Sequence, residues 1–402
     1  MPRHASHRSA TTPVVLILGV LTAFGPMSID MYLPALPGIA REFGSTTAAA
    51  QLTLSAFFVG LALGQLVYGP VMDRWGRKPP LYAGLVLYLG ASAGAALAPS
   101  MDALIACRFV QALGACAGMV VSRTIVRDLF DHRSSARVLS LLMLIMGVAP
   151  ILAPLAGSAL MSVAGWRTIF VLLAVFGAVC WALTFAGLPE TRPAGTPRPT
   201  VRTTLHVYAG LLRHRAFVGY TLAGGLAGSG MLAYISGSSF VFIDVYGLTP
   251  TGYAWLFGTN AAGLIGSSQI NRYLLHRHAP DRLLRWGNAC NASFGVLLAV
   301  AAVTGWGGPH GIAVCLFAFV ASLGFIFPNA AAGAMAPFGD RAGSASALMG
   351  TLQFGIATVM GALVGHFHDG TAVPMAIVIA CCGGSAFLAQ RFMTDAEGSA
   401  AS

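Results

Sequence analysis

Charge is what this chain has least of. Of its 402 residues, 9% are charged, against about 25% in an ordinary soluble domain, and only 13 are Asp or Glu. So few ionised groups cannot clothe a water-soluble surface. Metal chemistry has no obvious seat either. The seven cysteines, Cys107, Cys116, Cys180, Cys290, Cys315, Cys381 and Cys382, lie in apolar stretches without His or acidic partners at ligand spacing. They read as packing residues, and neither a metal nor a cofactor is expected. His366 and His368 stand near Asp369, but at the end of an apolar stretch, where a solvated loop is the simpler reading, so the chain is not expected to be an enzyme.

What is present in abundance is apolar: 56% hydrophobic residues together with 49 glycines, the small residue that lets membrane helices approach closely. Uncharged stretches of spanning length recur at 13 to 34, 47 to 70, 80 to 98, 103 to 125, 137 to 160 and 167 to 188. A second set follows at 216 to 238, 252 to 271, 283 to 304, 309 to 333, 343 to 365 and 372 to 390. Each suffices to cross a ~30 Å hydrocarbon core at ~1.5 Å per residue. The expectation is an all-α membrane protein of twelve transmembrane helices in two six-helix halves. Its parts are an N-terminal segment 1–12, a first half 13–188, a Pro- and Arg-rich linker 189–215, a second half 216–391 and a tail 392–402.

Charge placement orients the bundle, because short loops rich in Lys and Arg stay cytoplasmic. One set of loops receives Arg74, Arg77, Lys78, Arg123, Arg127, Arg133, Arg137, the linker arginines, Arg272, Arg277, Arg282, Arg285, Arg341 and Arg391; the other receives Arg41 and Arg167. A multi-pass protein with both termini cytoplasmic follows. The formal charge of +10 is then explained by contact with anionic membrane lipid and not by a nucleic-acid partner.

Ionisable residues inside the spans are costly, each at least ~2.5 kcal/mol on insertion scales. Asp30 in the first span and Arg108 in the fourth stand out, and both lie ~9 Å below the outer surface. They could meet. A carboxylate balanced between burial and a nearby arginine can load and release a proton, whereas a fixed ion pair would only tie two helices together; both readings stay open. At the turn after the second span, Gly69, Asp73, Arg74, Gly76, Arg77 and Lys78 form a dense charged cluster that reads as a cytoplasmic latch, with Asp73 accepting hydrogen bonds and the glycines giving room.

This turn resembles the signature Gly-x-x-x-Asp-Arg-x-Gly-Arg-Lys of the major facilitator superfamily. Arg108-Phe109-Val110-Gln111-Ala112-Leu113-Gly114 is similar to that superfamily's fourth-helix motif, associated with proton coupling. Gly147, Pro150, Pro154 and Gly157 resemble its antiporter motif, with Ala153 and Ala156 in place of glycines. Asp30-Met31-Tyr32-Leu33-Pro34, Gln51-Leu52-Thr53-Leu54-Ser55, Val126-Arg127-Asp128, Gly165-Trp166-Arg167 and Phe327-Pro328-Asn329 resemble the Bcr/CflA group of drug-resistance exporters. The resemblance implies the major facilitator fold and a bacterial inner-membrane, proton-driven secondary transporter. It would act as a monomer by alternating access, exporting bicyclomycin- or amphenicol-like amphiphiles, with Asp30 and Arg108 in proton coupling. An exporter or proton symporter of an endogenous metabolite would share all of these features.

The superfamily's cavity is implied to lie between the halves. Phe24, Met27, Tyr234, Phe257 and Phe354 are candidates for an adaptable apolar wall, and Asn260, Asn329 and Gln353 for directional hydrogen bonds to substrate. Each could equally be a packing residue.

Overall fold

In a computed structural model, residues 6–130, 132–192 and 201–400 are described. Part of the linker, 193–200, lies outside them. The first crossing is not one helix. It is assembled from α1 (Ser6–Thr22), α2 (Phe24–Asp30), a 3₁₀ turn (Leu33–Ala35) and α3 (Leu36–Glu42). Prolines explain the breaks: Pro34 and Pro37 occupy first-turn positions of the 3₁₀ turn and α3, where a missing N–H costs nothing, and each would disrupt a helix running through it.

α4 (Thr47–Trp75), α5 (Lys78–Ala96), α6 (Met101–Leu129), α7 (His132–Ala164) and α8 (Arg167–Gly187) complete the first half. The linker contributes a helix of its own, α9 (Val201–Arg213). The second half comprises α10 (Arg215–Ser239), extended by a π-helical segment (Phe240–Val245), then α11 (Pro250–Leu274), α12 (Pro280–Thr304), α13 (Gly308–Met335), α14 (Ala342–His366) and α15 (Val373–Ala400). In lipid every backbone N–H and C=O must be satisfied within the protein, and helices do so. No strand occurs among the described residues.

The twelve crossings agree with the sequence reading, although their hydropathies differ. Among the described residues, ten helical stretches are long and apolar enough by themselves to span a membrane. α5 and α11 fall short, α5 through its Lys-Pro-Pro start and α11 through Asn260, Ser267, Ser268, Gln269 and Asn271. They still pack within the bundle, α5 on α6 and α8, α11 on α7 and α13.

Small residues set the close contacts. Within the first half, Gly60 of α4 sits against Ala112 and the Phe109 carbonyl of α6. Between the halves, α4 lies along α14 and α7 along α11. Gly350 and Gly365 of α14 take Gln65 and Gln51 of α4 against their bare backbone, and Thr351 Oγ1 donates to the Ala62 carbonyl at 3.2 Å. The side chains facing outward from the bundle are apolar, as in the α8 row Val171, Val175 and Val179, which is the surface that hydrocarbon demands.

Within the linker 189–215, α9 is a packed helix that the sequence reading did not describe. Its Tyr208 and Leu211 are buried with Phe217, Ala334, Ala345 and Leu348, and Leu66 of α4 packs on the same cluster. The apolar positions 201, 205, 208, 211 and 212 at helical spacing were the available signal; the prolines and arginines around them obscured it.

Candidate functional site

Arg108 is completely buried, and no carboxylate of the described residues pairs with it. Its Nη2 donates to the Ser28 carbonyl at 2.9 Å, and its Nη1 donates to the Gln111 side chain. Gln111 donates on to Ser92 at 2.8 Å, and Ser28 shares a 2.6 Å hydrogen bond with the Tyr88 hydroxyl. Three rings wall the guanidinium, Phe57 at 4.3 Å, Tyr32 at 4.8 Å and Phe170 at 5.7 Å. Carbonyl dipoles and ring faces therefore take the place of a counter-ion, and the network ties α2, α4, α5, α6 and α8 together.

Asp30 and Arg108 do not form an ion pair here. The two side chains point in different directions. Ser28, which holds Arg108, and Asp30 are two residues apart on α2, ~200° around the helix axis, so the Asp30 carboxyl turns away from Arg108 toward the second half. It lies in a cavity of about 60 Å³ between the halves, lined by Gly147 and Pro150 of α7, Tyr234 of α10, Phe257 and Asn260 of α11 and Val320 of α13, among others. Only 5% of Asp30 is exposed, and its carboxyl makes no hydrogen bond or ion pair to a described residue. Opposite it, Asn260 donates to the Tyr234 hydroxyl at 2.8 Å, and the Tyr234 and Phe257 rings stack at 5.6 Å.

The other candidate lining residues divide. Phe24 is sealed inside the first half against Tyr88 and Phe176. Met27 faces a separate apolar groove between α2 and α7. Asn329 donates to Asn271 at 2.8 Å, a bond that joins α13 to α11, and to the Phe325 carbonyl of its own helix, also at 2.8 Å. Gln353 packs over Gly224 and Gly225 of α10, and Phe354 stacks on Phe58 across the halves at 6.3 Å.

The charged turn is built around Arg77. Its Nη1 donates to Asp73 at 3.0 Å and to the Met72 carbonyl at 3.1 Å, and its Nε donates to Asp128 of α6 at 2.9 Å. Gly76 adopts φ 95°, the region that favours glycine, and a Cβ there would meet the Glu190 carboxylate at 2.7 Å. Arg74 is exposed and lies over the Trp75 ring, while Lys78 lies over Tyr82; neither side chain enters the ion-pair cluster. Gly69 has open space around it.

Two acids of this cluster were not placed in it by the sequence. Asp128 binds both Arg77 and the Thr191 hydroxyl. Glu190, in the linker, accepts from the backbone N–H groups of Arg77, Lys78, Thr191 and Arg192 at 2.9–3.1 Å, so the chain following α8 caps the start of α5. Partial burial opposes ionisation of Glu190, but these N–H groups prevail and hold its carboxyl below the usual value. No local pattern announces such a cap, because 113 residues separate the partners.

In α7, Gly157 passes so close to the Met31 carbonyl that a Cβ would collide with it, and Gly147 packs on Ile265 of α11. The helix runs through Pro150 and Pro154, each of which removes one backbone donor. At the end of the bundle away from the arginine-rich loops, the 3₁₀ turn packs on α7, α10 and α11. There Arg41 also reaches Asp244 of the second half at 2.7 Å. The adjacent Glu42 binds Trp166 and Arg167 of its own half.

Two helical halves that close around a small, largely apolar cavity with one carboxyl in its wall have the architecture of a multi-pass membrane carrier. A model of the Major Facilitator Superfamily matches residues 18–362, and the chain belongs to that superfamily, whose members are transporters and not enzymes. It is 37% identical to the uncharacterized MFS-type transporter YdgK of Bacillus subtilis (strain 168) over 376 residues, 91% of each chain. It is 30% identical to a bicyclomycin resistance protein homolog of Haemophilus influenzae, covering 97% of this chain and 98% of that one. With multidrug resistance protein D of Escherichia coli (strain K12) it shares 32% identity over 86% of each. These relatives are consistent with the Bcr/CflA group. Among solved structures, a peptide transporter in complex with sulfate superposes with a TM-score of 0.76 at 16% identity, covering 96% and 94% of the two chains, and a D-xylose-proton symporter with 0.72 at 16%, covering 96% of each; at that identity they speak for the fold alone.

Proposed function

We propose that this chain is a proton-driven exporter of small amphiphilic drugs of the bicyclomycin or amphenicol kind, with Asp30 as the group that carries the proton. It acts as a monomer in a bacterial inner membrane, both termini cytoplasmic. The observation that carries this reading is the Asp30 cavity: a carboxyl without a partner, at the seam between the halves, facing an aromatic and amide wall. A group there changes its surroundings only when the halves move, which is what coupling protonation to alternating access requires. Tyr234, Phe257 and Asn260 form the substrate wall. The names of the relatives support drugs as the cargo.

Arg108 serves this site as a positioning residue. By holding the Ser28 carbonyl it sets the rotation of α2, and that rotation aims Asp30 across the seam. The Asp73, Arg77, Asp128 and Glu190 cluster fastens the cytoplasmic ends of α4, α5, α6 and the chain after α8, so that the first half moves as one body. Gly147 and Gly157 give α7 its close fit at the seam, and Pro150 and Pro154 each remove a backbone donor that would stiffen it there.

Expression in a drug-sensitive bacterium tests the reading. The wild type should confer resistance to members of a panel containing bicyclomycin and amphenicols, and both Asp30→Asn and collapse of the proton gradient should abolish it. Full gradient-driven resistance from Asp30→Asn would remove Asp30 from coupling. Resistance that survives collapse of the gradient would overturn the antiport.

A further inference from the structure

The stretch Gln51-Leu52-Thr53-Leu54-Ser55 takes no part in the Asp30 site, yet two of its side chains lie in the seam between the halves. Gln51 is 1% exposed and Ser55 3%, and they share one face of α4, a turn apart. Across from them on α10 is Ser236, and Ser239 follows one turn on along the same side of that helix; both are fully buried. The groups converge on the bare backbone of α14. A Cβ at Gly361 would lie 3.0 Å from Ser236 Oγ and 3.7 Å from Ser55 Oγ, and one at Gly365 would lie 2.6 Å from Gln51 Oε1. Hydroxyls of both halves thus meet over one glycine.

Unused hydrogen-bonding capacity sets this cluster apart. Serine and threonine hydroxyls inside helices commonly donate to the carbonyl one turn back, as Ser122, Ser229 and Thr358 do at 2.7–2.8 Å. Ser55, Ser236 and Ser239 make no such bond, and neither the oxygen nor the nitrogen of the Gln51 carboxamide has a partner among the described residues. Burying polar groups without partners is costly, and polar side chains in the interior of a membrane bundle mark the path of a solute. Hydroxyls and a carboxamide, with no ionised group among them, offer donors and acceptors together. They complement a neutral solute that bears hydroxyl or amide groups and give little to a purely apolar or cationic one.

The helices also fix where the cluster stands. Gln51 lies four residues, ~6 Å, inside the start of α4 at the end of the bundle away from the arginine-rich loops. Ser55 is one turn deeper, and the stack of Phe58 on Phe354 closes the seam beneath it. Gln51 and Ser55 belong to the first half, and Ser236, Ser239 and the two glycines to the second, so parting of the halves at that end opens the cluster.

We infer that Gln51, Ser55 and Ser236 form a hydrogen-bonding station for the hydroxyl or amide groups of a neutral substrate, on the exit side of the Asp30 cavity. The inference rests on the reading of the protein as a drug exporter, and it adds the residues that select among the drugs.

Equilibrium binding to the purified full-length protein in lipid nanodiscs tests this. The probes are thiamphenicol and florfenicol, which differ by one hydroxyl replaced by fluorine. The wild type should hold thiamphenicol roughly threefold to tenfold more tightly, the worth of one hydrogen bond. Gln51→Met, Ser55→Ala and Ser236→Ala should each shrink that preference with little change for florfenicol, and Ser229→Ala, whose hydroxyl is already satisfied within α10, should keep it. A wild type without the preference would overturn the station whatever the folding of the variants, as would a preference that survives any of the three substitutions. Equal weakening of both drugs would make these residues packing or gating groups and overturn it too. A wild type that binds neither drug overturns the station together with the amphenicol part of the export reading. Failure of the station alone leaves wild-type binding and resistance in place, so the two failures are distinguishable.

Discussion

Replacing Glu190 tests whether the Arg77 cluster is a true tertiary fastening. Its carboxylate accepts the first two backbone N–H groups at the start of α5, those of Arg77 and Lys78, which would otherwise face water or nothing. Losing a side-chain cap costs ~0.5–2 kcal/mol, and losing a negative charge at a helix N-terminus ~0.3–1 kcal/mol. Because Glu190 is exposed, the lower parts of both ranges apply, and Glu190→Ala should cost about 1 kcal/mol, roughly a fivefold change in the local opening equilibrium. Hydrogen exchange of peptides spanning 76–82 should accelerate by about that factor, while exchange in α13, remote from the cluster, stays unchanged. Glu190→Gln, which keeps one acceptor, should fall between. The pH dependence has a definite sign. A carboxyl held below its ordinary value of 4.5 stabilises fully above that value, and its contribution is lost as the pH falls through its lower folded-state value. The gap in thermal stability between wild type and Glu190→Ala should therefore be constant from pH 7 to 5 and close below pH 4.5. Unchanged exchange at 76–82, or a gap that widens on acidification, would refute the capping argument.

Other perturbations follow from the same geometry. Arg108→Lys keeps the charge but cannot reach both the Ser28 carbonyl and Gln111 or stack between rings; losing one charge-assisted bond of ~1.5–3 kcal/mol should reduce transport roughly tenfold or more, with the pH profile altered because Asp30 is displaced, and an unchanged profile would deny the positioning role. Gly157→Val should destabilise the purified protein by ~1–3 kcal/mol through collision with the Met31 carbonyl, measured as a lowered melting temperature; a neutral outcome would contradict the tight fit of α7. Arg41→Ala and Asp244→Ala should each change the separation of labels at the outer ends of the halves only slightly, with a double-mutant coupling below ~1 kcal/mol that fades in high salt, because the pair is solvent-exposed; a coupling of several kcal/mol would show a gate stronger than the geometry allows.

The number of crossings, the split into halves and the two charges placed inside spans were legible in the sequence because they depend on local composition: hydrocarbon thickness sets span length, and solvation energy keeps charge in loops. Gly76, Gly157 and Arg77 were legible for a similar reason, since their neighbours form motifs. What a charge faces was not legible. The depths of Asp30 and Arg108 invited a pair, and the rotation of α2 refused it, because only the packing of α2 against α6 and α7 decides which side of a short helix meets which neighbour. Glu190 and Asp128 entered the Arg77 cluster from distant positions, and α9 folded where polar composition suggested only a linker, since its apolar residues find their partners on α10, α13 and α14. The sequence by itself determined a twelve-helix membrane carrier with one acid and one arginine deep inside. Tertiary structure alone decided that the acid looks across the seam between the halves while the arginine holds the helix that aims it, because direction around a helix is set by contacts between elements far apart in the chain.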